Sequence, residues 1–231
     1  STSLNDYPVI DKRIFMQHFE DINTYGIGRE EALAVALKAE ESRDFSPVLR
    51  TASGREITVG LSSGTSGSRG IFLVSPEESA LWAGYMLRRM LPRPYLARHS
   101  IAFFLRANSN LYTAVRNPLI RFEFYDLMRG LDEHIHRLNA QNPSILIAPA
   151  QVLQQLALRA DVSVRPKKTV SVAEVLEPQV RTLVGRRFGS PVHQIYQCTE
   201  GFLAHTCRYG SLHLNEDMVY IETVSYTHLT L

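Results

Sequence analysis

LSSGTSGSRG, residues 61–70, follows the alternating run Glu56-Ile57-Thr58-Val59 and holds no large apolar side chain after Leu61. Glycine, serine and threonine at this density make a loop, and three uses of such a loop compete. It can cradle phosphate, because glycines let backbone N–H groups turn toward one anion while hydroxyls add short donors. Arg69 would then add a charge-assisted contact. A Walker loop is excluded, because its G-K-[ST] ending is missing. The stretch can instead be a nucleophile elbow, since Gly60-Leu61-Ser62-Ser63-Gly64 satisfies G-x-S-x-G with Ser62 as nucleophile. That motif needs a helix directly after the serine, whereas here loop composition continues to Gly70 and a helix begins only near Pro76. Or it is a linker, against which stands its place between a strand pattern and a capped helix.

The surrounding chain narrows the choice. Its 231 residues are 45% hydrophobic and 21% charged, an ordinary globular composition with enough length to bury a substantial core. With 25 basic and 23 acidic residues the net charge is +2, which carries no electrostatic footprint of a nucleic-acid binder. Arg181, Arg186 and Arg187 read as a solvated helix face. No apolar run approaches a membrane span and no signal peptide opens the sequence. Two cysteines, Cys198 and Cys207, cannot supply a disulfide framework. The expectation is a reducing, cytoplasmic setting with neither nucleic acid nor membrane as partner.

Helical and strand-like segments alternate along the chain. Arg29–Arg43 is rich in helix formers, with Ala32, Leu33, Val35, Ala36 and Leu37 toward one side. Ser75-Pro76-Glu77-Glu78 reads as a capping box with proline at the first helical position, opening a helix to about Met90. Further helices are predicted at Asp132–Gln141, Pro149–Arg159 and Pro178–Phe188. Strands are predicted at Ile101–Leu105, Phe122–Tyr125, Ile145–Ala148, Thr169–Ala173, Val192–Tyr196 and Val219–Thr223. This alternation predicts an α/β fold, with largely parallel or mixed sheets flanked by helices. Ligands in such folds sit beyond the carboxyl ends of strands, where the 61–70 stretch, Ala173-Glu174 and Gln197 to Glu200 are all expected.

Four ordered segments resemble the adenylate-forming superfamily. SSGTSGSRG resembles its phosphate loop, whose usual form is Ser/Thr-rich, then Gly-Thr-Thr-Gly, then Pro-Lys-Gly. Pro143-Ser144-Ile145-Leu146-Ile147 with Pro149 and a helix resembles the strand and helix before its adenine site. Ser171-Val172-Ala173-Glu174, followed by Leu176-Glu177-Pro178 and a basic helix, resembles its adenine segment. Ile195-Tyr196-Gln197-Cys198-Thr199-Glu200 resembles its Tyr-Gly-x-Thr-Glu segment. Cys207 and Gly210 to Asp217 are similar to the segment after that motif in phenylacetate–CoA ligase-like members. The matches run from Asn5 to about Glu222, so residues 1–223 are identified as part of the large N-terminal AMP-binding domain of such a ligase.

The resemblance implies ATP-dependent adenylation of a small-molecule carboxylate, with coenzyme A as acceptor in the whole enzyme. It places Ser62, Ser63, Gly64, Thr65, Ser66, Gly67 and Arg69 around the terminal phosphates. It places Ala173, Glu174, Tyr196 and Gln197 around adenine, Thr199 at the α-phosphate and Glu200 on Mg²⁺. Two departures stand out: Arg69 replaces the loop lysine, and Gln197 replaces a glycine beside the nucleotide. Alternatives remain open: adenylylation of a deazaflavin coenzyme, known in the same branch; a serine hydrolase using Ser62; and a non-catalytic nucleotide-binding module. Zinc is not expected, because Cys198, His205, Cys207 and His213 are ligand types at an irregular spacing, C-x6-H-x-C-x5-H. Residues 224–231 do not resemble the family's continuation; they look like translated adapter read-through, with a divergent native tail as the alternative. The expectation is a fragment lacking the later catalytic-lysine domain and some preceding sequence, poorly active by itself.

Overall fold

Apolar runs spaced by helix-forming segments dominate the chain after His99, and they build its larger sheet. The computed structural model describes residues 6–62 and 69–222. By packing the chain divides into two units: residues up to Tyr85 together with Ala107–Val115, and Met86–Arg106 together with the chain from Arg116 onward.

In the first unit, short helices α1 (Lys12–Gln17) and α2 (Phe19–Ile22) precede α3 (Arg29–Ser42). Strands β1 (Leu49–Arg50), β2 (Glu56–Leu61) and β3 (Ile71–Val74) then form a three-stranded antiparallel sheet. Phe19, Ile27, Ala32, Leu49, Ile57 and Ile71 make its core. Residues 62–70 therefore join two antiparallel strands, β2 and β3, rather than leading from a strand into a helix as the sequence pattern suggested. The short apolar run Ile71-Phe72-Leu73-Val74, placed just before the capping box, supplies the return strand. Helix α4 (Pro76–Met90) opens on the predicted box: Glu78 N–H donates to Ser75 Oγ (3.2 Å) and Ser75 N–H to Glu78 Oε2 (2.8 Å). The one-turn helix α5 (Asn110–Thr113) also belongs to this unit.

The second unit is a seven-stranded sheet. Its strands are β4 (His99–Leu105), β5 (Ile120–Asp126), β6 (Ile145–Pro149), β7 (Lys168–Val172), β8 (Val192–Cys198), β9 (Gly201–Thr206) and β10 (Leu212–Leu214), in the order β10-β9-β8-β7-β6-β4-β5. β4 to β8 run parallel, and β9 and β10 close one edge antiparallel. Helices α6 (Asp132–Gln141), α7 (Ala150–Leu158) and α8 (Pro178–Phe188) are the crossovers. Their apolar stripes, among them Ile135, Leu138, Leu153, Leu156, Val184 and Phe188, bury against Ala102, Phe104, Leu146, Ala148 and Val192. The predicted strand at Val219–Thr223 does not form: Val219 to Glu222 carry no regular structure, and Thr223 lies outside the described residues. Asn215 ends the ordered edge by turning the chain, its carbonyl taking the N–H groups of Met218 and Val219. Among the described residues no helix is long and apolar enough to cross a membrane.

Candidate functional site

Parallel neighbours share a polarity, so the loops after β6, β7 and β8 emerge at one pole of the second unit. After β6 the chain enters α7 at once, with Pro149 as N-cap. After β7 it turns sharply at Ala173, whose φ of +63° lies in the left-handed region that Cβ disfavours. The Glu174 N–H closes this turn onto the Val172 carbonyl at 2.8 Å, the geometry of a strained γ-turn. Glu174 then reaches sideways, and its Oε2 accepts the Gln151 N–H (2.9 Å) in the first turn of α7. A carboxylate there satisfies an orphan donor and complements the helix dipole. Glu174 thus caps the helix after β6, a role that no local sequence pattern announces because the partners lie 23 residues apart.

At the end of β8 the register with β9 slips. Tyr196 faces Ala204 but Gln197 faces Phe202, so Leu203 is the extra residue of a β-bulge. Bulges re-aim the side chains around them. Tyr196 is 56% exposed, so it does not cap a core edge. Thr199 and Glu200 form the tight connection to β9, where Thr199 Oγ1 donates to Glu200 Oε2 at 2.9 Å. Beside them the Cys198 thiol is pushed up by burial and by the Glu200 carboxylate, which keeps it protonated and unreactive. Ala173, Glu174, Tyr196, Gln197, Thr199 and Glu200 therefore stand at the ends of two adjacent strands.

Cys198, His205, Cys207 and His213 do not assemble into a metal site. His205 and His213 face each other across β9 and β10, but Nδ1 of His205 bonds Asn215 Oδ1 (2.8 Å) and the Cys207 sulfur accepts the Tyr209 N–H. Among the described residues no group of three His, Cys, Asp or Glu side chains is placed to hold a metal ion.

In the first unit only the ends of the glycine-serine stretch are described; Ser63, Gly64, Thr65, Ser66 and Gly67 lie outside the described residues. Ser62 is buried, and its Oγ accepts the Gly70 N–H at 2.7 Å. It follows directly from β2, and the positions after it, where a nucleophile elbow needs its helix, lie outside the described residues. Arg69 donates from Nε to the Ser62 carbonyl (3.0 Å) and grips Glu40 of α3 with both terminal nitrogens, at 2.7 and 2.5 Å. Sequence reading missed Glu40. The one signal for it was position: it lies four residues after the buried Ala36, on the inward side of α3.

No protein-family model matches the sequence, and no curated protein matches it. Solved structures do. An open conformation of 2-hydroxyisobutyryl-CoA ligase, in complex with 2-HIB-AMP and CoA, superposes with a TM-score of 0.52 at 12% identity, over 85% of this chain and 56% of that one. The anthranilate CoA ligase AuaEII, in complex with anthranoyl-AMP, gives 0.53 at 15% identity over 71% of this chain and 34% of its own. ATP-bound MatB from Rhodopseudomonas palustris gives 0.51 at 14% identity, over 66% and 31%. The chain thus spans about half the length of the first and about a third of the other two. This chain thus has a fold found in part of these ligase structures.

Proposed function

We propose that this chain is the nucleotide-binding part of a ligase that activates a carboxylate with ATP and, in the whole protein, passes the acyl group to coenzyme A in the manner of the phenylacetate–CoA ligase-like branch. In the first step a carboxylate oxygen attacks the α-phosphorus of ATP, the bond to pyrophosphate breaks, and an acyl-adenylate forms. In the second a thiol attacks the acyl carbon and AMP leaves. The observation that carries this reading is the gathering of the Ala173-Glu174 turn, the exposed Tyr196 ring and Thr199-Glu200 at the ends of β7 and β8. The likeness in fold to structures holding ATP or an acyl-AMP supports it.

Each residue type suits its task. Tyr196 presents a ring face for stacking on a base, while the γ-turn at Ala173 offers backbone groups to its edge. The Thr199 hydroxyl, turning its one proton from Glu200 Oε2 to an α-phosphate oxygen, can donate there as charge builds on it. Glu200 is a single exposed hard-oxygen ligand, which fits Mg²⁺ bound mainly through phosphates and water; the ion would neutralise phosphate charge. The test is carboxylate-dependent ATP–pyrophosphate exchange by the full-length protein across a panel of acids. Exchange is expected with at least one acid, falling by roughly a hundredfold in Glu200→Gln. No exchange with any acid would remove the carboxylate from the reaction.

A further inference from the structure

Five polar contacts gather where the 62–70 segment leaves β2 and enters β3. The Ser62 N–H donates to the Gly70 carbonyl (2.8 Å), and the Gly70 N–H donates back to Ser62 Oγ (2.7 Å). Arg69 Nε donates to the Ser62 carbonyl (3.0 Å), and its Nη1 and Nη2 hold the two oxygens of Glu40 (2.7 and 2.5 Å). One guanidinium therefore joins three points: the outgoing foot of the segment, the incoming foot, and helix α3. Only a planar fork with a separate Nε donor can make this set of bonds, and lysine cannot.

The arrangement bears on what Arg69 does for an anion. Its fork is already matched to a carboxylate, in a pair whose side chains are 37% and 28% exposed. A phosphate recruiting Arg69 would have to exchange one anion for another and leave Glu40 partly buried without its cation. Such an exchange yields little net affinity. We propose that Glu40 is a positioning residue: it holds Arg69 as a bracket across the two feet of the segment, so that the arginine fixes Ser62 and Gly70 in place instead of binding phosphate. This deepens the adenylation reading and rests on it only where ATP is concerned.

The experiment compares the 231-residue chain with Glu40→Gln, Arg69→Gln, Arg69→Lys and the double variant Glu40→Gln/Arg69→Gln. Two quantities are read: amide hydrogen exchange at Ser62 and Gly70 by NMR, and the dissociation constant of Mg·ATP by calorimetry. The bracket predicts that each single variant speeds exchange at both amides by about tenfold. It predicts that all three weaken ATP by a similar factor, with Arg69→Lys no better than Arg69→Gln and the double variant no worse than either single. A phosphate-binding Arg69 predicts the reverse pattern: Arg69→Lys keeps most affinity, and Glu40→Gln, by freeing the guanidinium, leaves ATP binding unchanged or tighter. That pattern, or unchanged amide exchange in Glu40→Gln, overturns the proposal. If the unmodified chain binds no ATP, the adenylation reading fails while the exchange data still decide the bracket.

Discussion

A methyl group built on Gly60 would meet the Phe72 ring at 2.2 Å, because the two residues face each other across the β2–β3 ladder. That contact explains the glycine which, read along the sequence, completes G-x-S-x-G. Its task is to leave room for an aromatic ring lying over the strand, and Ser62 beyond it ties the hairpin's feet together. Gly60→Ala is therefore expected to lower stability by about 1–3 kcal/mol, with Phe72 forced off its rotamer. Urea denaturation measures it, and Gly60→Ala/Phe72→Leu should recover part of the loss; a neutral Gly60→Ala would mean that the ring is not held there. Ala173 is the opposite case, a residue with a Cβ kept at positive φ. Strain of that kind, persisting at the end of a strand, is a mark of functional sites.

At the scale of elements, the sequence pattern located the five longest helices, missed the short α1, α2 and α5, and misjudged one face. On α3 the buried residues are Ala32, Ala36 and Ala39, while Leu37, read as part of the apolar side, is 47% exposed. Small residues let the helix lie close to its sheet, and the larger leucine falls outside that stripe. Elsewhere a buried polar network, invisible to patterning, joins elements. Tyr125 of β5 stacks on Phe104 of β4, and its hydroxyl donates to Gln141 Oε1 at the end of α6 (2.6 Å). Gln141 Nε2 donates in turn to Ser100 Oγ and the Ile101 carbonyl. Burial pushes the Tyr125 phenol up to about 12, so it remains a donor throughout the working range. Gln141→Ala should cost roughly 2–3 kcal/mol, since it strands a buried hydroxyl and removes three bonds. Adding Tyr125→Phe should recover part of that, because the stranded donor is gone; an additive double variant would mean that the two side chains act independently.

At the scale of the whole molecule, the second unit concentrates cationic groups on one region of its sheet. Lys168 of β7 is pushed down to about 8 by burial, with its Nζ on the Arg89 carbonyl (3.2 Å). His193 of β8 lies below its ordinary 6.5 through burial and then the charge of Lys168, with Arg181 and His205 adding to it. His205 of β9 is also lowered, by burial first and then by Arg89, His213 and Lys168, against the bond to Asn215 that favours its charged form. Asp217, paired with Arg89 at 2.7 Å, is the acid among them. Both histidines are thus held neutral in the fold. The unfolded chain binds their protons more readily, so their contribution is fully present above about 6.5 and is lost as pH falls through the folded values. The urea midpoint should fall between about pH 7.5 and 5.5, and a His193→Gln/His205→Gln variant should flatten that slope. An unchanged slope would show that neither imidazole is held neutral.

The five longest helices and the parallel strands β4 to β8 were legible along the chain, because they depend on spacing within a few residues: the box at Ser75–Glu78, the stripes of α6 to α8, the apolar runs of β4 to β8. The short helices and β3, β9 and β10 were not. The ordered matches also picked out Ala173-Glu174 and Tyr196 to Glu200, which the strand order then brought to one pole. Tertiary structure decided the partners. That the 61–70 stretch closes a hairpin, that Glu174 caps the helix after β6, and that Arg69 belongs to Glu40 are contacts between residues well separated along the chain, 29 positions apart in the last case. Such pairings depend on which faces are buried together, and a carboxylate or a glycine looks the same in sequence whichever neighbour the fold finally supplies.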